Sequence, residues 1–522
     1  MSTATPAARP LLRLAFAAPL SVVAGLLLVT AYPALAWWPM ALPAVALALL
    51  TLIGRRFWSA VLVGFLFGVA FFSVNLLFTA RYLGPIPWAA LFVLESLLTA
   101  VFAVPIALAY RWMPRVAPGA LGRLLVLPAL VAGLWVLREQ IVGSWPYGGF
   151  PWGRIGVSQV NGPFAEVASW VGMSGLSFLV VLLCAMVIEL VRHRRVRRGI
   201  AVLPAAALVA VLLLLPQFPT TAAGSLRVGA VQGNGPAGYF DQRARNAVLN
   251  AQLAASAPLF GQRMDVLLWP EGGVDSDPTA NGATSAVLEE LSRRVDAPLL
   301  ISAVTERGPE LFNSALLWTP DGQSGATYDK RHPVPFGEYV PDRAFWEPFA
   351  PDLIGLIGRE YTPGTATPLI DLNGVGVGLA ICFDVIYDDV VWDGADAGAE
   401  VYMFQTNNAD FRGTDENLQQ LAFAQMRAIE TGRSVVNLST VGTSQVIAPD
   451  GSTLDALPID TAGHMLTDVP LRTGLTPAVV IGPAVKIIVG AGSLLALLAA
   501  GVVVFVRRRA HEKTPAPEGT GV

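Results

Sequence analysis

Long apolar runs fill roughly the first 215 positions of the chain and return once near its C-terminal end, whereas the stretch from Gly224 to about Thr476 has none. A helix needs about 20 predominantly apolar residues to cross a bilayer. The segments that approach this length are Leu14–Ala31, Trp37–Ile53, Phe57–Phe78, Trp88–Ala109, Leu124–Val142, Val167–Ile188, Ile200–Phe218 and Ile487–Val506, which predicts about eight spans. The fifth is the least regular, because Pro128, Arg138 and Glu139 interrupt it. Between the seventh and eighth the pattern changes to short β-branched strands alternating with polar helices. Strands are predicted at Leu226–Gln232, Asp265–Trp269, Leu299–Thr305, Ser314–Thr319, Gly374–Cys382, Val401–Asn407, Ser434–Leu438 and Thr443–Ala448. Helices are predicted at Gln242–Ala255, Thr284–Val295 and Glu416–Thr431, with a further start near Val385–Trp392. Alternation of this kind means a layered α/β domain. The expected organisation is therefore a helical membrane domain over 1–222, an α/β domain over 223–478, a last span within 479–509 and a polar tail over 510–522.

Composition agrees with that division. Of 522 residues 54% are hydrophobic and only 14% charged, with a mean hydropathy of +0.55, which excludes a disordered, fibrous or wholly soluble chain. Net charge is -3 and no basic cluster carries interleaved aromatics, so nucleic acid is not an expected partner. Two cysteines, Cys184 and Cys382, make neither a disulfide framework nor a Cys-rich zinc site, and no metal site is expected.

Charge placement orients the spans. Arg9 and Arg13, Arg55 and Arg56, Arg111, Arg115 and Arg123, the run Arg192, Arg194, Arg195, Arg197 and Arg198, and Arg507–Arg509 all fall on one side of the eight-span scheme. The opposite loops carry only the scattered Arg81, Arg138 and Arg154. Lys and Arg gather on the cytoplasmic side, so both termini are expected in the cytoplasm and the α/β domain outside a bacterial cytoplasmic membrane. A cleaved signal peptide at the first span would upset this scheme. Glu95 lies mid-span in the fourth segment and reads as a lone intramembrane carboxyl, protonated or hydrogen-bonded to a neighbouring helix.

Three segments of the α/β domain carry chemistry. In Leu267-Leu268-Trp269-Pro270-Glu271 an apolar strand runs into proline, which delivers Glu271 at the strand's C-terminal edge. The segment Tyr328-Asp329-Lys330-Arg331-His332-Pro333-Val334-Pro335-Phe336-Gly337-Glu338-Tyr339 holds the domain's one lysine, in a chain with three lysines and thirty-two arginines. A lysine retained against that bias suggests a site needing a compact ammonium. The third segment, Gly374 to Asp384, ends a buried strand with Cys382 just before a helix start, where a dipole would favour the thiolate. Together these residues suit nucleophilic acyl chemistry: a carboxylate takes the thiol proton, the thiolate attacks a carbonyl, and the ammonium with backbone N–H groups stabilises the oxyanion. His332 is a secondary candidate for assisting Cys382. No G-x-S-x-G elbow supports a serine alternative.

These motifs resemble the Glu–Lys–Cys triad of the nitrilase, or carbon–nitrogen hydrolase, superfamily, and with spans before and after they are similar specifically to the apolipoprotein N-acyltransferase family. The resemblance also covers Gly149-Phe150-Pro151-Trp152, Ser158-Gln159, Val231-Gln232-Gly233-Asn234, Met426-Arg427-Ala428 and Gly474-Leu475-Thr476-Pro477. It implies an αββα sandwich, catalytic Glu271, Lys330 and Cys382, and a supporting Glu338, with no cofactor. Its implied substrates are a phospholipid acyl donor and a diacylglyceryl apolipoprotein acceptor, joined through a cysteine thioester. Phe383-Asp384 stands where the family often has Tyr-Glu, and Tyr239-Phe240 where it usually has Trp.

The stretch from Pro335 to Pro363 supports a lipid substrate on physical grounds. Phe336, Tyr339, Phe345, Trp346 and Phe349 crowd it with few charges, as suits a loop dipping into headgroups. Trp152 and its aromatic neighbours Trp145, Tyr147 and Phe150 precede the sixth span and are expected to border the same lipid entrance. Rival functions are a membrane-tethered amidase or nitrilase passing the acyl group to water, and a lipid-binding or transport protein with a degenerate nitrilase domain.

Overall fold

The computed structural model describes residues 9–192 and 199–513; the predicted cluster of Arg194, Arg195, Arg197 and Arg198 and the end of the polar tail lie outside the described residues. Each predicted apolar segment holds a helix: α1 (Leu14–Val29), α2 (Ala41–Leu52), α3 (Phe57–Asn75), then after the short α4 (Thr79–Leu83) the long α5 (Pro85–Val116), α6 (Leu127–Val142), α7 (Ala168–Arg192) and α8 (Leu203–Leu214). Near the C-terminus comes α15 (Pro477–Lys513). Among the described residues five helical segments are long and apolar enough to cross a membrane, at Phe57–Asn75, Pro85–Val116, Gly122–Val142, Ala165–Arg192 and Pro477–Ala510. Leu14–Val29, Trp38–Leu52 and Leu203–Leu214 are shorter than the reading of eight similar spans expected.

Small residues let these helices approach. On α3, Gly64 and Gly68 are four apart, and a methyl group at either would meet Ala103 or Ser96 of α5 at under 3 Å. Outward the helices present large apolar side chains, among them Trp58, Val101, Leu214, Ile487 and Ile488, all exposed. An apolar surface of that kind is covered by lipid rather than water. The basic helix ends lie together: Arg123 and Arg192 both pair with Glu189, and Arg507 donates to the carbonyl of Arg115 at 2.8 Å.

The α/β part supplies α9 (Ala247–Ser256), α10 (Gly282–Val295), α11 (Arg343–Trp346), α12 (Pro351–Gly355), α13 (Asp388–Asp396) and α14 (Glu416–Thr431). Its first sheet contains β1 (Thr221–Gln232), β2 (Val266–Leu268), β3 (Leu299–Arg307), β4 (Glu310–Thr319), β5 (Gly322–Asp329) and β12 (Gly463–Thr473), in the order β12-β1-β2-β3-β4-β5. The second contains β6 (Leu369–Leu372), β7 (Val375–Ile381), β8 (Val401–Thr406), β9 (Ser434–Ser439), β10 (Ser444–Ile447) and β11 (Thr453–Leu457), in the order β11-β10-β9-β8-β7-β6. Strands β1, β2 and β3 run parallel, as do β7, β8 and β9, and the outer pairings are antiparallel. Leu226, Val228, Leu268 and Leu300 of one sheet meet Leu379, Ile381, Met403 and Val436 of the other in a shared core. Packing of α9 and α10 outside the first sheet and of α13 and α14 outside the second completes an αββα sandwich.

All eight predicted strands exist, and the four that the pattern did not reveal, β5, β6, β11 and β12, are the sheet edges. Edge strands pair on one side only and tolerate the polar residues, glycines and, in β12, Pro470 that hide them. The helix expected from Gln242 begins later, at Ala247, and the one expected near Val385–Trp392 is a 3₁₀ turn over Cys382–Ile386 followed by α13.

Charge joins the two parts. Asp388, at the start of α13, accepts from Arg154 at 2.6 and 3.0 Å and from Arg427 of α14 at 2.9 Å, and pairs with Lys486 of α15 at 2.9 Å. Arg427 also reaches Glu430 at 2.6 Å, and Glu430 accepts from the backbone N–H of Met173 at 3.0 Å. That last contact needs the break in α7 at Gly172, whose φ of 72° only glycine adopts without strain.

Candidate active site

Glu271 follows β2, Lys330 follows β5 and Cys382 follows β7, so two chemically active side chains come from one sheet and the third from its partner, at the same end of the sandwich. The Lys330 ammonium is buried, 3.2 Å from Glu271 Oε1 and 2.9 Å from the Glu338 carboxylate. Asn313 of β4 braces both carboxylates: its Nδ2 donates to Glu271 at 2.7 Å and to Glu338 at 3.4 Å. Glu338 also accepts from the backbone N–H of Val334 at 2.8 Å, which folds the intervening loop back on Lys330.

Cys382 sits at φ 49°, in the left-handed region that a side chain rarely occupies, immediately after β7. Gln420 Nε2 of α14 lies 3.4 Å from its sulfur. The next carboxylate, Asp384, locks the turn by accepting from Tyr328 Oη (2.8 Å) and from the backbone N–H groups of His332 (2.8 Å), Ile381 (3.2 Å) and Arg331 (3.4 Å). A shorter carboxylate than glutamate thus still ties the Lys330 segment to the nucleophile turn. Phe383 packs against Phe150 and Tyr387, with ring centroids at 5.5 and 5.3 Å.

Electrostatics separate the three groups. Burial pushes the Cys382 thiol well above its ordinary range, and the Glu271 charge adds to this more than Lys330 relieves it. The thiolate favoured by a helix start is therefore not the resting form; one 3₁₀ turn is too short a dipole to outweigh burial. Burial also raises Glu271, against the pull of Lys330. For Lys330 burial acts downward, but Glu271 and Glu338 outweigh it and hold the ammonium well above the ordinary lysine range. At rest the arrangement is a neutral thiol beside an ammonium held between Glu271 and Glu338.

The group opens on a cavity of about 1180 Å³. Its walls include Glu271, Lys330, Glu338, Cys382 and Phe383, and it extends along one stripe of α5, Pro87, Ala90, Leu91, Leu94, Glu95 and Leu98. Eleven residue-to-residue steps from Pro87 to Leu98, at 1.5 Å rise each, make that stripe roughly 16 Å long. Of the aromatic residues expected at a lipid entrance, Trp152, Phe336, Trp346 and Phe349 line the cavity, while Tyr339 and Phe345 lie outside its wall. Trp152 is buried and donates to Gln419 Oε1 at 2.5 Å. Trp346 donates to Tyr147 Oη at 3.1 Å, pinning the loop to the helical part. Val340, Ile354 and Ile357 give that loop a small core of its own, and Phe345, Phe349 and Leu356 remain exposed.

Two expectations are corrected. His332 turns away from the thiol: its ring stacks on Tyr387 at 3.8 Å and Nε2 meets Asp389 at 3.0 Å. Glu95 is not alone, because Arg138 of α6 lies 3.9 Å away and both are buried. Among the cavity residues that carried no sequence signal are Asn313, Arg359, Glu416 and Gln420. Arg359 lies over the Tyr239 ring at 3.7 Å, and both line the cavity.

Fold and site define a carbon–nitrogen hydrolase domain carried by apolar helices. The model described as carbon-nitrogen hydrolase matches residues 227–474, and that described as apolipoprotein N-acyltransferase N-terminal domain matches residues 24–186. The chain is 32% identical to an apolipoprotein N-acyltransferase of Mycolicibacterium smegmatis, over 92% of this chain and 85% of that one, and 30% identical to one of Shewanella oneidensis, over 82% of each. A solved CN-hydrolase superfamily protein of Xanthomonas campestris aligns with 51% of this chain and 97% of its own at 18% identity, with a TM-score of 0.36. The chain belongs to the apolipoprotein N-acyltransferase family, and is a membrane acyltransferase.

Proposed function

We propose that this enzyme moves an acyl chain from a membrane phospholipid, through a Cys382 thioester, to the α-amine of the S-diacylglyceryl cysteine at the N-terminus of apolipoproteins. One observation carries the reading: a single cavity joins Cys382 to an apolar stripe inside the helical part. A water-soluble amide needs no such stripe; an acyl chain does.

In the first half-reaction Glu271 takes the thiol proton as sulfur attacks the ester carbonyl, and the Lys330 ammonium stabilises the oxyanion. Collapse breaks the C–O bond, and the proton on Glu271 leaves with the lysophospholipid hydroxyl. Glu338 holds Lys330 in place throughout. In the second half-reaction the amine attacks the thioester and the Cys382 thiol is regenerated. Phe336, Trp346, Phe349 and Trp152 contact lipid in this scheme, and Asp384 and Phe383 position the nucleophile.

The proposed membrane arrangement has eight spans in a bacterial cytoplasmic membrane, with the N-terminus cytoplasmic and the catalytic domain, about residues 223–478, outside. The gathering of Arg115, Arg123, Arg192 and Arg507 at helix ends supports that orientation. Residues 1–222 and 479–509 form the membrane part and 510–522 the cytoplasmic tail.

The test is direct: purified enzyme mixed with phospholipid acquires an acyl group on Cys382 that neutral hydroxylamine removes, and adding a diacylglyceryl lipopeptide with a free amine discharges it as amide. An enzyme that acquires no acyl group, or discharges it to water as fast as to the amine, contradicts the proposal.

A further inference from the structure

One buried carboxyl of the cavity has no part in the scheme above. Glu416, the first residue of α14, is 2% exposed and lines the cavity. Its Oε2 accepts from Asn408 Nδ2 at 2.7 Å, and the same Asn408 nitrogen donates to Gln420 Oε1 at 2.9 Å. Gln420, one helical turn along, places its own Nε2 3.4 Å from the Cys382 sulfur. Asn408 therefore fixes Glu416 relative to the nucleophile. Glu271 and Glu338 already share the Lys330 ammonium, whereas Glu416 has no cationic partner among the described residues. A buried carboxyl beside a nucleophile, with no cation of its own, matches a substrate that brings the cation.

The proposed acceptor brings one. Its α-amine has an ordinary pKa of about 7.7–8.0 and reaches the site mostly as ammonium, which cannot attack a carbonyl. We infer that Glu416 is the subsite for the α-ammonium of the acceptor, and that it takes the proton the amine must lose before attacking the Cys382 thioester. This rests on the thioester reading above.

The step balances. The ammonium gives one proton to Glu416, and its freed lone pair forms the C–N bond. The tetrahedral oxyanion is held by Lys330, and the C–S bond breaks. Glu271 takes the second N–H proton and returns it to the departing thiolate, and Glu416 releases its proton to water. Burial, with the Glu271 charge adding to it, pushes Glu416 up to about 8, close to the amine it would serve, so the proton moves between them with little penalty. Glu271 is the charge that acts on Glu416; Lys330, Glu338, Asp410 and Arg359 line the same cavity.

Full-length enzyme carrying Glu416→Gln separates this from a structural role, because the amide keeps the oxygen that Asn408 binds. Thioester formation from phospholipid is expected within about 2-fold of wild type. Single-turnover discharge to a synthetic diacylglyceryl lipopeptide is expected to fall about 10²-fold at pH 7, the usual scale of a lost general base. The deficit should shrink as pH rises to 9, where the amine deprotonates unaided. Discharge by hydroxylamine, uncharged at neutral pH, should be unaffected. The inference is overturned by equal slowing of both halves, failure of the variant to form the thioester, normal discharge to the lipopeptide, or a deficit that does not change with pH. Failure of wild type itself to form a thioester would instead overturn the proposed function.

Discussion

The helical part and the α/β part both bury ionisable groups, and they hold them differently. Around Lys330, Glu271, Glu338 and Asp384 nearly every contact is a hydrogen bond between 2.7 and 3.4 Å, made by groups at strand ends or in short braced turns. In the helical part Glu95 and Arg138 stand 3.9 Å apart, and Glu95 Oε2 and Arg138 Nε have no hydrogen-bond partner among the described residues. The difference separates two tasks. Bond making needs donors fixed before charge develops, whereas a container for a flexible acyl chain needs volume and apolar walls. Asp388, between Arg154, Arg427 and Lys486, is where the two parts meet.

That contrast predicts where a mutation should act. The largest effect belongs to the α/β site: Cys382→Ala should abolish both acyl capture and transfer while the protein stays inserted and folded, since alanine removes only a sulfur at the edge of the inter-sheet core. An acyl group still captured by that variant at another residue would sink the assignment. Next come Glu271→Gln and Lys330→Met, each expected to slow thioester formation about 10²–10⁴-fold. Lys330→Arg should not rescue, because a planar guanidinium does not fit between the two carboxylates at 2.9 and 3.2 Å. Rates near wild type in Lys330→Arg would mean that Lys330 supplies only charge.

At the joint the expected effect moves from chemistry to assembly. Asp388→Ala leaves Arg154, Arg427 and Lys486 facing one another and should lower stability by about 3–5 kcal/mol, read as a fall in melting temperature in detergent. Burial raises the pKa of Asp388, but its three cations outweigh that and hold it well below the usual carboxylate range. Its contribution is thus complete above the unfolded value of about 3.9 and is lost only as pH falls through the depressed folded value. The wild-type joint should therefore survive a titration to pH 5; dissociation of the two parts above that pH would contradict the assignment.

Smaller effects sharpen the boundary. Replacing Phe345, Trp346 and Phe349 together by Ser should impair turnover of bilayer phospholipid but spare acylation by a short, water-soluble activated ester, because the triad is untouched; equal loss with both donors would make the loop a support of the fold. Smallest of all, Cys184→Ala in α7 should change neither thioester yield nor stability by more than about 1 kcal/mol, and a loss of acyl capture in that variant would implicate the wrong thiol.

Much of this was already legible in the amino-acid order. Apolar runs located each α-helix of the membrane region except the short α4, since lipid and packed helices both demand apolar side chains over a whole turn. The eight inner strands were readable because both their faces are buried, and α14 was located to the residue by its periodicity. Glu271, Lys330 and Cys382 declared themselves through the proline, lysine bias and apolar strand around them, and Glu338 only through the family resemblance. Hidden from that reading were the four edge strands, whose single pairing leaves their composition free, and the contacts made across the fold. Asn313 bracing two carboxylates, Arg138 beside Glu95, His332 turned toward Asp389, and Glu416 held by Asn408 next to Cys382 all join residues remote in sequence. Local pattern records which side of an element is buried; which charges meet there depends on how two sheets and a helical bundle are set against one another, and only the tertiary structure decided that.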